Sequence, residues 1–281
     1  MWPRVSRCLF LALLFTVVLL GCRSSPPTAG EPSQPVVVRV TGSEEMVPLM
    51  VELAAAYEAE RANVFVDVSG GGSRWGLRAL LSGQADIGMV SYEPSEEELK
   101  SGRERLVTTE LGRDGLAIIV HPSNPLFQAS QTLLADIFSG TVFRWEDLGW
   151  EGGEIAVLTR EPGSGDRRLL EAYLFDAPQL RMTLNAMILP TPDAMLQAVA
   201  EAPTAIGYVS TMRFSGAVKA LSVEGVQPTS ETVADGTYPL TRPLLLVTRG
   251  RPRGPARDFL NWATSPAGQA IVARFAVPVR R

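Results

Sequence analysis

The sequence predicts an α/β fold in which mainly parallel strands are flanked by helices, and three observations carry that prediction. Short β-branched runs alternate with Ala- and Leu-rich stretches at helical spacing, the pattern of βαβ units. One run, Leu116 to Val120, is apolar at every position, as a strand buried on both faces is. Glycine- and serine-rich segments join strand to helix at several points. The chain has 281 residues, 46% hydrophobic and 20% charged, which is enough for two lobes or one large domain.

Val36 to Val40 opens the folded part as a strand. Thr41-Gly42-Ser43 leads from it into a helix to about Arg61, with Pro48 in the first turn, where its missing N–H costs nothing. Val64 to Val68 is the next strand. Gly70-Gly71-Gly72-Ser73 then opens a helix from Arg74 to about Ser82, with Leu77, Leu80 and Leu81 on one face and Gly83 as its stop. Asp86 to Ser91 is a third strand. The pattern resumes with Leu116 to Val120, a helix over about Gln131 to Phe138, and a strand from Ile155 to Thr159. The segment from Arg160 to Asp166 leads into a helix ending near Phe175. A strand from Leu244 to Thr248 and a helix from Ala256 to Phe275, broken at Ser265-Pro266, complete the chain. No internal repeat of fixed period is detectable.

Residues 1–21 read as an export signal outside the fold. Arg4 and Arg7 give the positive start, and the apolar run from Cys8 to Leu20 is too short to span a bilayer comfortably as a helix. It ends Leu19-Leu20-Gly21-Cys22, which resembles the bacterial lipobox and makes Cys22 the expected lipid attachment site. The blander reading is an ordinary secretory signal cut nearby, with Cys22 incidental. Cleavage before Cys22 removes Cys8 and leaves no intrachain disulfide, so stability has to come from buried core. Residues 22–35 hold Pro26, Pro27, Pro32 and Pro35 among small polar residues and describe a semi-extended tether.

Composition excludes several functions. The formal net charge is −4 with no basic run, and nucleic-acid binding needs clustered Lys and Arg to neutralise phosphates. One histidine and two cysteines cannot build a Cys/His zinc cage in a single chain, so neither a metal nor a cofactor is expected.

Chemistry is concentrated at three strand-to-helix corners: Gly42-Ser43, Gly70 to Ser73, and Gly163-Ser164-Gly165. Glycines let backbone approach a ligand, and a helix's first turn offers unpaired N–H donors and partial positive charge, which suits an anion. Any one corner is explained as a capped helix. Three of one type, with Arg74 and Arg160 beside two of them, point to a ligand site where the strands end. Arg160 can give an oxyanion a bidentate fork, or can form a surface pair with Glu161. Enzyme motifs fail. Leu77 and Arg78 stand where a P-loop needs Lys and Ser/Thr, and neither Ser73 nor Ser164 lies in G-x-S-x-G. His121, the only histidine, ends an apolar strand before Pro122, a structural position. A hydrolase is therefore not expected.

These corners, in this order, resemble the phosphate-binding component of bacterial ABC phosphate importers, within the type II periplasmic binding proteins. The matching segments are Thr41-Gly42-Ser43 with Pro48-Leu49, Gly70 to Ser73 with Gly76, Gly83 to Met89, Arg160 to Gly165, Tyr238 to Leu244, and Ser265 to Gln269. The resemblance implies two α/β lobes, each a mainly parallel sheet flanked by helices, joined by two crossing strands with the anion closed between them. It places lobe 1 at residues 36–112 and 243–281, and lobe 2 at residues 113–242. It implies an anion held by Ser43, Ser73, Ser91, Arg160, Ser164 and the Gly165 amide. It also implies an extracytoplasmic, membrane-anchored lipoprotein, monomeric, that hands phosphate or a similar oxyanion to an ABC permease.

Three positions depart from the family. Glu45 stands where the first helix start usually has threonine, although Glu44 is the equivalent under a one-residue shift. Asp166 follows the Gly-Ser-Gly loop where threonine is usual, and Pro162 replaces an acid that orients the arginine in some members. A threonine hydroxyl donates to a phosphate oxygen, whereas an ionised carboxylate only accepts. A carboxylate about 4 Å from a charged oxygen costs roughly 4 kcal/mol at an effective dielectric of about 20. Glu45 and Asp166 can accept the proton of a monohydrogen phosphate, be protonated by burial, point away, or pair with a zwitterionic or cationic ligand. The last option leaves a second reading, a binding-protein module with a different ligand or none, acting as an envelope sensor or interaction protein.

Overall fold

The computed structural model describes residues 35–175, 179–214 and 216–279; the expected signal, Cys22 and nearly all of the tether lie outside them. The first half runs β1 (Val36–Gly42), α1 (Val47–Ala59), β2 (Val64–Ser69), α2 (Ser73–Ser82), β3 (Ile87–Val90), α3 (Glu96–Leu99) and β4 (Leu106–Val120). Then come β5 (Gln128–Ala129), α4 (Gln131–Ser139), β6 (Ala156–Arg160), α5 (Gly165–Leu174), β7 (Met187–Leu189), α6 (Pro192–Glu201) and β8 (Ala205–Ser210). The chain closes with β9 (Lys219–Ala220), β10 (Ser222–Val223), α7 (Ser230–Ala234), β11 (Thr241–Arg249), α8 (Gly254–Ala263), α9 (Pro266–Val272) and β12 (Val277–Pro278).

Local sequence explains most of these boundaries. Pro48 sits in the first turn of α1 and Pro266 in that of α9. Gly83 and Gly140 end α2 and α4 in the left-handed conformation, at φ 77° and 81°. Ser130, Ser164, Thr191 and Ser265 cap α4, α5, α6 and α9 through their hydroxyls.

The main sheet has the order β2-β1-β3-β11-β4-β8-β6-β7. β1 pairs in parallel with β2 and β3, and β6 with β7 and β8. The antiparallel pairs centre on β11 and β4. β4 is shared between two parts of the sheet. Its first stretch pairs with β11 from Leu106↔Arg249 to Gly115↔Thr241, and its last stretch pairs with β8 from Leu116↔Ser210 to Val120↔Ile206.

Each part of the sheet is covered on two faces. On the β1 side, Val38, Val40, Leu244 and Leu246 pack with α1, α8 and α9, while Val90, Leu245 and Val247 pack with α2. On the β8 side, Leu116, Ile118 and Val120 pack with α4 and α5, while Ala117 and Ile119 pack with α6. Successive strand residues point to opposite faces, so the uninterrupted apolar run from Leu116 to Val120 serves two cores at once. Glycine is required at Gly42, at φ 144°, because a Cβ there would overlap the Met89 backbone of the adjacent strand.

Candidate functional site

The three strand-to-helix corners come together on one cavity lined by Ser43, Glu44, Glu45, Gly72, Arg160, Glu161, Ser164, Gly165 and Asp166. One wall comes from the β1 side of the sheet. There Gly72 N–H donates to Gly42 O at 2.8 Å, tying the first two corners together. Ser43 Oγ donates to Ser91 Oγ at 2.9 Å, Ser73 Oγ lies 3.3 Å from the same oxygen, and Ser91 N–H donates to Ser73 Oγ at 3.2 Å. All three serines are buried.

The opposite wall is the turn from β6 into α5. Gly165 fits against the serine cluster only because it has no side chain: a Cβ there would overlap Ser91 Oγ and sit 2.8 Å from Ser73 Oγ. Arg74 N–H reaches across to Gly163 O at 3.4 Å. Ser164 Oγ caps α5, accepting from Asp166 N–H at 3.2 Å and Arg167 N–H at 3.5 Å, which leaves its own proton free to donate.

Arg160 is 1% exposed, so its pair with Glu161 forms with the guanidinium buried. Its Nε donates to Glu161 Oε2 at 3.2 Å and to Leu189 O at 3.1 Å, and Nη2 donates to Pro190 O at 3.1 Å. Tyr208 Oη accepts its backbone N–H at 2.9 Å. The fork is thereby fixed in position, with Nη1 facing the cavity. Glu161 does the orienting that the Pro162 departure put in question.

The two unexpected acids have different fates. Asp166 is paired with Arg242, whose Nε and Nη2 also donate to Asp114 Oδ2 at 3.1 and 2.8 Å. Burial, the largest single influence, pushes the Asp166 carboxyl up, but the Arg242 charge, hydrogen bonds with Glu45 and Arg242 and the Arg160 charge together hold the group below its ordinary value. Three acids, Asp166, Asp114 and Glu45, likewise raise Arg242 against its own burial. Asp166 is therefore a neutralised member of a buried ion triad.

Glu45 lies between two other arginines. Its Oε1 lies 3.5 Å from Arg160 Nη1 and its Oε2 lies 3.2 Å from Arg213 Nε, yet among the described residues neither oxygen accepts a hydrogen bond. It is 3% exposed. Burial, then the charge of Asp166 and a side-chain hydrogen bond to it, raise its carboxyl well above the ordinary carboxylate range, and Arg242 and Arg213 only partly oppose them. Glu44 turns to the Gly70-Gly71 loop instead, where Oε1 accepts Gly71 N–H at 2.5 Å. Both acids line the cavity, and Glu45 is the one whose carboxyl lies between Arg160 and Arg213.

Sequence reasoning named the site residues on both walls but gave no role to Arg213, Arg242 or Asp114. Arg242 and Asp114 sit in glycine- and proline-rich stretches without helical or strand periodicity, and nothing around Arg213 marks it.

Residues 29–267 match the model of the PBP superfamily domain. The chain belongs to that family. It is 28% identical over 243 residues to the phosphate-binding protein PstS of Bacillus subtilis, covering 86% of this chain and 80% of that protein. Among solved structures, a Clostridium perfringens substrate-binding protein crystallised with bound phosphate aligns at TM-score 0.81 and 29% identity, covering 87% of this chain and all of that one. An ABC-type phosphate transport receptor from Vibrio cholerae aligns at 0.74 and 28%, covering 86% of this chain. The resemblance to the phosphate-binding component of ABC importers and the type II periplasmic binding protein fold therefore both hold.

Proposed function

We propose that this protein is the solute-binding component of an ABC importer and captures phosphate or a similar oxyanion between the two walls of the cavity. The observation that carries the reading is the convergence of three glycine corners and the fixed guanidinium of Arg160 on one cavity, with Ser43 and Ser164 in its lining and Ser73 and Ser91 hydrogen-bonded behind Ser43. Ser43, Ser73 and Ser91 supply hydroxyls from one wall. Arg160, Ser164 and the Gly165 amide supply donors from the other, at the N-terminus of α5. Glu45 and Asp166 line the same cavity, and Asp166 is neutralised before any ligand arrives.

On this reading, residues 36–112 with 243–281 form one lobe and 113–242 the other, and they close on the ligand. The chain works outside the cytoplasm as a monomer, tethered through a lipid on Cys22, and passes its cargo to a membrane permease. It performs no catalysis. The alternative of a zwitterionic or cationic ligand rests on Glu45 alone once Asp166 is paired with Arg242.

A thermal-shift panel of phosphate, sulfate, molybdate and amino acids tests the ligand. Binding at a hundredfold excess over Kd adds about 2.7 kcal/mol of stability. A phosphate or oxyanion response is expected, and a response only to amino acids would refute the reading. Cys22→Ala should move the protein from the membrane fraction to the soluble one.

A further inference from the structure

The cavity is closed around a side chain. About 10 Å³ of it is open to a water-sized sphere, the room one water molecule needs. What fills the point where the walls meet is the Glu45 carboxyl, with Arg160 Nη1 on one oxygen at 3.5 Å and Arg213 Nε on the other at 3.2 Å. The two guanidinium groups come from different elements, the end of β6 and the turn after β8, and each addresses one oxygen of the same carboxyl. That is how two arginines would share an oxyanion.

A buried carboxyl placed for structural reasons normally has its oxygens satisfied by hydrogen bonds. Asp166 follows this rule through Arg242. Neither Glu45 oxygen accepts a hydrogen bond, although the residue is buried too, and its polar neighbours are the two arginines and Asp166. Its backbone position is the 3-10 turn at Glu44–Met46 that opens α1.

We propose that the Glu45 carboxyl occupies the anion position itself, so that a ligand oxyanion binds by exchange with this side chain and Glu45 sets the affinity of the site. The proposal rests on the oxyanion-binding reading above and deepens it. It assigns Arg213 to the ligand as a second arginine, released from Glu45 when the exchange occurs. It also separates the two departures in the sequence: Asp166 belongs to the architecture, and Glu45 competes with the cargo.

The test is calorimetric titration with inorganic phosphate of the wild-type protein, Glu45→Thr and Glu45→Gln, with circular dichroism and melting curves to confirm folding. Glu45→Thr removes the competitor and restores a hydroxyl, and is expected to tighten phosphate binding at least tenfold. Glu45→Gln keeps the shape but not the charge and should tighten it less. Equal or weaker binding by both folded variants, beside measurable binding by wild type, overturns this proposal and leaves the oxyanion reading intact. Absence of binding by all three to phosphate, sulfate and molybdate overturns both.

A crystal structure of the wild-type protein with phosphate decides the point without any variant. Glu45 is expected outside the cavity, with Arg160 and Arg213 on the phosphate oxygens. Glu45 still seated between the two arginines beside bound phosphate would overturn the exchange.

Discussion

Arg242→Met is the perturbation with the best-defined consequence. Arg242 and Asp114 are fully buried, and Asp166 is 2% exposed. The substitution keeps most of the side-chain volume and removes the only positive charge in the triad. Breaking a buried pair costs about 3–5 kcal/mol, because an uncompensated charge stays inside. Here two carboxylates are left facing each other, so the upper end of that range applies. At roughly 2–4 °C per kcal/mol for a chain of this size, the midpoint falls by about 10–20 °C.

The sign of the pH dependence follows from the same charges. With Arg242 in place, the depressed Asp166 contributes stability above its unfolded value and loses it as pH falls through the folded one. Without Arg242 the burial that pushes Asp166 up is no longer opposed by that charge, and the variant loses stability as pH rises instead. Thermal unfolding of wild type and variant at pH 5 and pH 8 measures this, with the larger deficit expected at pH 8. Adding Asp114→Asn and Asp166→Asn to Arg242→Met should recover at least half of it. A deficit below about 1 kcal/mol, equal at both pH values, would refute the reasoning.

Three further outcomes are expected. Glu45→Gln should be more stable than wild type at neutral pH. The raised carboxyl costs up to about 1.4 kcal/mol per pH unit between its unfolded and folded values, so the advantage should vanish in melts below pH 4. Gly165→Ala should weaken phosphate binding at least tenfold in a titration, since its Cβ would overlap Ser91 Oγ and wedge the walls apart; an unchanged Kd would show that the walls do not need to meet. Arg168 Nη1 and Nη2 each donate to a Glu98 oxygen at 3.0 Å, beneath a guanidinium stacked 4.1 Å from the Tyr92 ring centroid, linking α5 to α3. Arg168→Gln should lower phosphate affinity about fivefold, close to 1 kcal/mol for a half-exposed pair, and the difference should shrink in high salt.

What could be read in advance depended on how local the cause was. The strands from Val36, Val64 and Ile87 and the helices they feed are set by β-branched runs, caps and glycine stops within a few residues. The expected strand from Leu116 to Val120 is the end of a longer one beginning at Leu106. Its first part contains Gly112, Arg113, Asp114 and Gly115, residues with weak strand preference. They are extended because β11 pairs with them along its whole length. The expected strand from Leu244 likewise starts three residues earlier, at Thr241, and carries Pro243 opposite Arg113 next to a register shift at Leu244/Leu245. Short elements such as β7 and β9 have too few residues to show a period.

The site divides in the same way. Ser43, Ser73, Ser164 and Gly165 were legible because each lies at a glycine corner with its own local logic. The loss of Asp166 to a structural triad depended on Arg242, distant in sequence, and no local pattern could announce it. The position of Glu45 depended on Arg160 and Arg213, which the fold brings in from the far side of the cavity.

Arg242 and Asp114 are register partners on the two strands that pass from one part of the sheet to the other, and the same guanidinium holds the first turn of α5 through Asp166. Such a group acts like a pin through three plates. Any opening of the cavity has to carry α5, and with it Ser164 and Gly165, as one body with the β4–β11 ribbon. On the proposed reading the part that swings is the serine wall with Glu45, so opening the mouth and clearing the seat become a single motion.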